Sequence, residues 1–142
     1  MTVPLIGFEV SQAKAIGVST GSTAGVAFTT SGSANTKNSY TEIIASTDED
    51  INWLVLSVRQ MTAANTFNAI AFDIAIGGSG SEVDIIPNVV FSWGATDPGY
   101  GTIALPITIK KGTRIAYRVQ DSNPGSAFQL ALYGFVGNFN QV

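Results

Sequence analysis

Asp73, Glu82 and Asp84 are the side chains of this 142-residue sequence that come nearest to an acid–base pair, the arrangement by which glycosidases cleave sugars. No motif couples them. Histidine and cysteine are absent, which removes the usual general base at neutral pH, the thiol nucleophile and the common transition-metal ligands. The run Thr47, Asp48, Glu49, Asp50 puts three acids in a row, and hard cations such as calcium need several oxygen ligands. Its spacing is not that of an EF-hand loop, where ligands alternate around a glycine, and a solvated connection before a strand accounts for it. The chain is expected to be non-enzymatic, with no cofactor and no metal.

Residues 76–82 read IGGSGSE. Gly77, Gly78 and Gly80 permit positive φ in a tight reversal, and Glu82 is placed to accept backbone N–H bonds there. A phosphate cradle would need a following helix and a lysine, and neither is present. Arg114 and Arg118 lie four residues apart on one face of a strand, about 13 Å from each other. Guanidinium groups suit bidentate pairing with carboxylates, and Glu82 and Asp84 are the expected partners. Asp97 beside Pro98, and Asp121 with Asn123, fit turn chemistry. Trp93 and Tyr100 bracket the loop SWGATDPGY, and aromatic faces stack on sugar rings, so the two form a candidate carbohydrate contact. Trp93 also ends an apolar strand and suits a core or an interface equally well.

The elements that must position these residues are β-strands. No segment carries a 3.6-residue apolar period, and short β-rich runs at 40–45, 52–60, 67–76, 83–93, 102–109, 114–120 and 127–136 are separated by turn residues. Ile103, Leu105, Ile107 and Ile109 alternate with polar or small neighbours, as do Ile115, Tyr117 and Val119. These two runs are expected to pair as a hairpin through KKG. NWLVLSV and FQLALYGF are apolar on both faces, as in strands central to a sandwich or covered by a neighbouring subunit. The predicted fold is all-β, a single antiparallel β-sandwich of the jelly-roll type. An extended arm (1–15) precedes the sandwich (16–137), and a short tail (138–142) follows it. The polar stretch 18–40 is read as an ordered first hairpin, with GVAFTT as an edge strand, because the residues before it are too few for a second core.

Composition bounds the partners. Hydrophobic residues make up 45% and charged residues only 12%, with a net charge of −3, which suits a subunit packed in an assembly or exposed outside cells. The seven basic residues make one local cluster, so no nucleic-acid face is indicated. The amino terminus lacks the basic and long apolar segments of a signal peptide, and no run of about 20 apolar residues marks a membrane span.

The succession SANTKNSYTEIIAST, DIAIGGSGSEVDIIPNVV, LPITIKKGTRIAYRVQDS and LALYGF resembles small jelly-roll proteins encoded among the virion genes of tailed bacteriophages. The resemblance covers residues 16–136. Its most specific pieces are Ile-Gly-x-x-Gly-Ser-Glu at 76–82 and Pro-x-x-Ile-x-x-Gly-x-Arg-Ile-x-x-Arg at 106–118, and it carries no catalytic residues. It departs from the group in its long polar first hairpin and its NFNQV tail. The resemblance implies a virion component, such as a head decoration protein, a fibre or a tail accessory, commonly trimeric.

A capsid decoration (cement) subunit is the expectation, with the major capsid protein or other virion proteins as partners. The alternative is a tail or fibre component that binds host-surface carbohydrate. A lectin-like module acting as a free soluble domain is the third class. In a symmetric trimer, Leu130, Leu132, Tyr133 and Phe135 would divide between core and subunit contacts. Val3, Leu5, Ile6, Phe8 and Val10 in the arm would bury against a neighbouring copy or the capsid.

Overall fold

Runs rich in Val, Ile, Phe and Tyr, broken by Gly, Asn, Asp and Pro, favour extended backbone and sharp reversals. The computed structural model describes residues 12–17, 26–60, 68–94 and 100–136. Within them the strands are β1 (Gln12–Ile16), β2 (Val26–Thr29), β3 (Thr41–Ile44), β4 (Ile51–Gln60), β5 (Asn68–Ile76), β6 (Val83–Trp93), β7 (Tyr100–Leu105), β8 (Ile115–Asp121) and β9 (Ala127–Val136).

The pairings nest. β1 and β2 both pair with β9, β3 with β8, β4 with β7, and β5 with β6, all antiparallel. The chain is one long hairpin rolled on itself, with its tip between β5 and β6. Further pairing of β4 with β9 and of β5 with β8 closes two sheets. Their orders are β1-β9-β4-β7, with β2 also on β9, and β3-β8-β5-β6. This is the wiring of a jelly roll.

The core fills the space between the sheets. Leu54, Leu56 and Val58 of β4 and Phe128, Leu130 and Leu132 of β9 meet Ile70, Phe72 and Ile74 of β5 and Ile115, Tyr117 and Val119 of β8. Phe28 joins the layers. Its ring stacks on Phe128 at 5.4 Å and meets Phe72 and Tyr117 edge-on at 5.3 and 5.6 Å. That anchorage ties β2, and with it residues 26–29 of the polar stretch, into the core.

β1 and β2 lie end to end along one edge of β9, and β1 begins at Gln12, within the stretch read as an arm. One expectation is corrected: the runs flanking KKG do not form a hairpin, since β7 belongs to one sheet and β8 to the other. Pro106 has no N–H with which to continue the ladder after Leu105. Ile109 instead bridges Ile51 through reciprocal 2.8 Å bonds, while buried Thr47 ties down the turn: its hydroxyl donates to the Lys110 carbonyl at 2.9 Å and accepts from the Thr113 N–H at 3.2 Å. The alternation of both runs is as expected, with Ile109, Ile115, Tyr117 and Val119 buried.

Gly17 closes the β1 edge in the left-handed region, at φ +67°, and an added Cβ would stand 2.0 Å from the Ile43 carbonyl oxygen. Gly17→Ala is expected to lose at least about 2 kcal/mol in urea unfolding, from φ strain together with the clash. Gly32→Ala, with nothing within 4 Å of the new methyl, should change stability by no more than about 0.5 kcal/mol.

Candidate assembly surface

Side chains alternate across a strand, so the residues between the buried Leu54, Leu56 and Val58 must face away from the core. On β4 these are Val55, Ser57 and Arg59. Trp53 joins them in the same phase, and a bulge between Ile51 and Trp53 shifts the register so that Ile51 turns inward. Ile51 is buried, whereas Trp53, two residues on, is 39% exposed. On β9 the outward set is Ala131, Tyr133 and Phe135, and on β7 it is Tyr100, Thr102 and Ala104.

Cross-strand register assembles them into rows. Trp53 lies beside Phe135, Val55 sits between Tyr133 and Ala104, and Ser57 between Ala131 and Thr102. The Ser57 and Thr102 hydroxyls bond each other at 3.0 Å. The last row sets Arg59 between Gln129 and Tyr100. Tyr133 is 39% and Tyr100 81% exposed. Arg59 is the one charge in these rows, and no ion pair holds it among the described residues. An apolar face with Trp, Tyr and Arg on it has the composition of a protein–protein contact centre.

The outer face of the other sheet is of opposite character. Asp73 on β5, 1% exposed, is bonded by Lys37, by Arg118 at 2.7 Å and by the Asn88 N–H at 2.8 Å. Arg118 also binds Asp84 at 2.6 Å and lies over the Tyr40 ring, 4.7 Å from its centroid. The Tyr40 hydroxyl donates to Asp84 at 2.7 Å, and burial, reinforced by that bond, pushes the phenol up to about 12. Arg114 bridges Glu42 at 2.8 Å and Glu82 at 3.0 Å. Glu82 also accepts the Gly80 N–H at 2.9 Å, in a reversal where Gly77 and Gly80 take positive φ. The pairing of Arg114 with Glu82 and of Arg118 with Asp84 and the Glu82 brace are those expected from sequence, whereas Glu42 and Asp73 are partners that the sequence did not indicate.

Other expected site residues scatter. Leu130 and Leu132 are in the core, so of the four β9 residues only Tyr133 and Phe135 reach the outside. Trp93 does not make a sugar shelf with Tyr100: it is buried, parallel to Phe91 at 6.2 Å and 5.6 Å from Phe128. Val3, Leu5, Ile6, Phe8 and Val10 lie outside the described residues, as do the NFNQV tail and the centre of the loop before Tyr100. The acids at 48–50 diverge onto separate cations: Lys14 takes Asp48 and Glu49, and Lys110 takes Asp50 at 2.8 Å. Asp121 accepts the Asn123 N–H at 2.8 Å, as turn chemistry requires, and the Thr30 hydroxyl at 3.0 Å.

Sequence reasoning missed Lys37, Asn88, Trp53 and Arg59. Pro87-Asn88 inside a strand was the available signal for the second bulge, where Asn88 takes φ +55° and turns its N–H to Asp73. The double-faced apolarity of NWLVLSV was the signal for Trp53.

The fold and this surface define a jelly-roll β-sandwich whose acids, among the described residues, are engaged internally and whose apolar face is turned outward. No protein-family profile matches the sequence, and no curated protein matches it. Two solved structures of infectious bursal disease virus are similar in fold. That of the Gt strain aligns with a TM-score of 0.46 and 12% identity, over 97% of this chain and 38% of that one. The Gx strain gives 0.48 and 14% over the same shares. The chain thus spans less than two-fifths of either.

Burial alone would raise the Asp73 carboxyl, but Lys37, the Asn88 N–H and Arg118 outweigh it and hold the group below the ordinary range. A depressed folded-state value gives stability that is full above the unfolded value of about 3.9 and is lost as pH falls through the lower folded one. Asp73→Asn should therefore cost about 3 kcal/mol at pH 6. Its urea midpoint should also fall less than the native one as pH drops from 6 towards 2.

Proposed function

We propose that this protein is a non-enzymatic structural subunit of a bacteriophage virion, a capsid decoration (cement) protein that works by assembly. The observation that carries the reading is the apolar outer face of β9, β4 and β7, one side of a sandwich whose other outer face is internally neutralised. The resemblance of residues 76–82 and 106–118 to small phage jelly-roll proteins supports it, as does a composition with only 12% charged residues.

The mechanism is linkage. A subunit whose apolar face is buried only on the assembled shell binds that state selectively and stabilises it. Burying an aromatic or aliphatic side chain contributes about 1.5 to 3 kcal/mol, so Trp53, Val55, Tyr133 and Phe135 together suffice for specific attachment after ordering costs are met. A tail or fibre role with a carbohydrate ligand is the second reading, and the exposed Tyr100 beside Arg59 favours it.

Imaging purified virions labelled with an antibody to this chain decides between them. Label over the head is expected, label at the tail supports the second reading, and absence from virions overturns both. Tyr133→Glu should leave the circular dichroism spectrum unchanged and weaken co-sedimentation with undecorated heads by about 2 kcal/mol, roughly thirtyfold.

A further inference from the structure

We propose that the Lys37 amine and the Asn88 carboxamide join in an isopeptide bond, with Asp73 carrying the proton between them, which clamps the β3-β8-β5-β6 sheet covalently from one edge to the other. The inference goes beyond assembly and does not depend on where the protein acts.

Three groups from distant parts of the chain meet over that sheet. Residues 35–38 lie along β8: the Asn35 N–H donates to the Asp121 carbonyl at 2.7 Å and the Asn38 N–H to the Val119 carbonyl at 3.0 Å. The Val119 N–H donates back to the Asn38 side-chain oxygen at 2.8 Å. From this edge Lys37 reaches across β8 and β5, and its Nζ donates to Asp73 Oδ1 on β5 and, at 2.9 Å, to Asn88 Oδ1 on β6. Asp73 is fixed in turn by Arg118 Nε at 2.7 Å on its other oxygen and by the Asn88 N–H at 2.8 Å. Asn88 is held in place by the bulge around it, where its backbone takes φ +55°.

This is the set of groups that aminolysis of an amide requires. A carbonyl carbon lies about 1.2 Å from its oxygen, so Nζ stands within about 4 Å of Asn88 Cγ, one side-chain rotation from attack distance. Asp73 touches the amine, is ionised, and has a side chain only 2% exposed. Its Oδ1 takes one ammonium proton, and the freed Nζ lone pair adds to Cγ. A carboxylate that binds its proton weakly slows this step and favours the next. The adduct passes a proton through the same carboxylate to Nδ2, the Cγ–Nδ2 bond breaks, and ammonia departs, taking up the remaining proton as ammonium. Lysine ammonium and carboxamide have then become a secondary amide and an ammonium ion, with no oxidant or other reactant consumed. Asn88 is exposed, so the product is lost to water and the step runs once. The new amide N–H keeps a bond to Asp73, whose charge stays paired with Arg118.

Among the described residues this constellation is particular to Lys37. Lys14 and Lys110 pair with acids that are open to solvent. The bond joins positions 51 residues apart in a chain that has no cysteine, and a cross-link of that span restricts the unfolded chain as a disulfide would.

Intact-mass measurement on purified full-length protein, held for days at neutral pH, tests the proposal. The expected mass is below that of the sequence by one ammonia, and tryptic digestion should give a branched peptide in which Lys37 is uncleaved and joined to Asn88. On a denaturing gel the linked chain should run ahead of Lys37→Arg, because residues 37–88 remain a closed loop. Lys37→Arg, which keeps the ion pair with Asp73, and Asn88→Ala should each retain the full mass of their sequence. Asp73→Asn should reduce the branched peptide at least tenfold in the folded protein. A native chain at its full sequence mass, ammonia lost equally from Lys37→Arg, loss of water with the branch at Asp73, or an undiminished branch in Asp73→Asn would each overturn the proposal. The first of these readings needs no variant to fold, and all use purified protein, so they are independent of whether virions carry the chain.

Discussion

β9 bonds to β1 and β2 along one edge and to β4 along the other, and its Phe128, Leu130 and Leu132 are buried against the opposite sheet. The first strands therefore have no backbone partner until one of the last arrives. The core cannot close earlier, because Phe28, which links both sheets through its contacts with Phe128, Phe72 and Tyr117, rides on β2. Such a nested hairpin places its longest loop closure at its outermost pair. Non-local pairing of this kind makes folding slow relative to helical domains of similar size.

The same alternation that fills the core creates two unlike exteriors. On the β3-β8-β5-β6 sheet the outward positions hold Asp73, Asp84, Arg114 and Arg118, and the segment carrying Lys37 and Tyr40 lies over them. Charges there satisfy one another and hold strands in register, so the face is structurally committed. On the other sheet, β4 and β9 place Trp53, Val55, Tyr133 and Phe135 outward with no covering segment among the described residues. Apolar area left in water on a sheet that is otherwise complete is a site for association.

Two bulges are responsible for much of this division. One lets Ile51 turn into the core although strict alternation from the outward Trp53 would face it to solvent. The other, around Pro87 and Asn88, brings a backbone donor to a carboxylate that would otherwise be buried with two cations alone. Each is a local departure from regular pleating, and each changes what its face presents: the first keeps Ile51 in the core beside the outward Trp53, the second supplies Asp73 with a backbone donor.

The strands from β2 onward, the faces buried by β7 and β8 and the pairing of Arg114 and Arg118 with Glu82 and Asp84 were legible in the sequence, because period-2 alternation and complementary charge are local or nearly local signals. The sequence likewise determined that the chain lacks cysteine and histidine chemistry. What it could not determine was which strand pairs with which. KKG looks like a hairpin turn in any local reading, yet it crosses between sheets, since Pro106 ends one ladder and Thr47, some sixty residues upstream, braces the turn that precedes the next. Trp93 and Tyr100 stand close in sequence, but only the tertiary fold sends one into the core and the other into solvent. A strand's inner and outer faces are fixed by its own residues, whereas its neighbours are chosen by every other strand competing for the same edge, and that competition is settled only when the two sheets close.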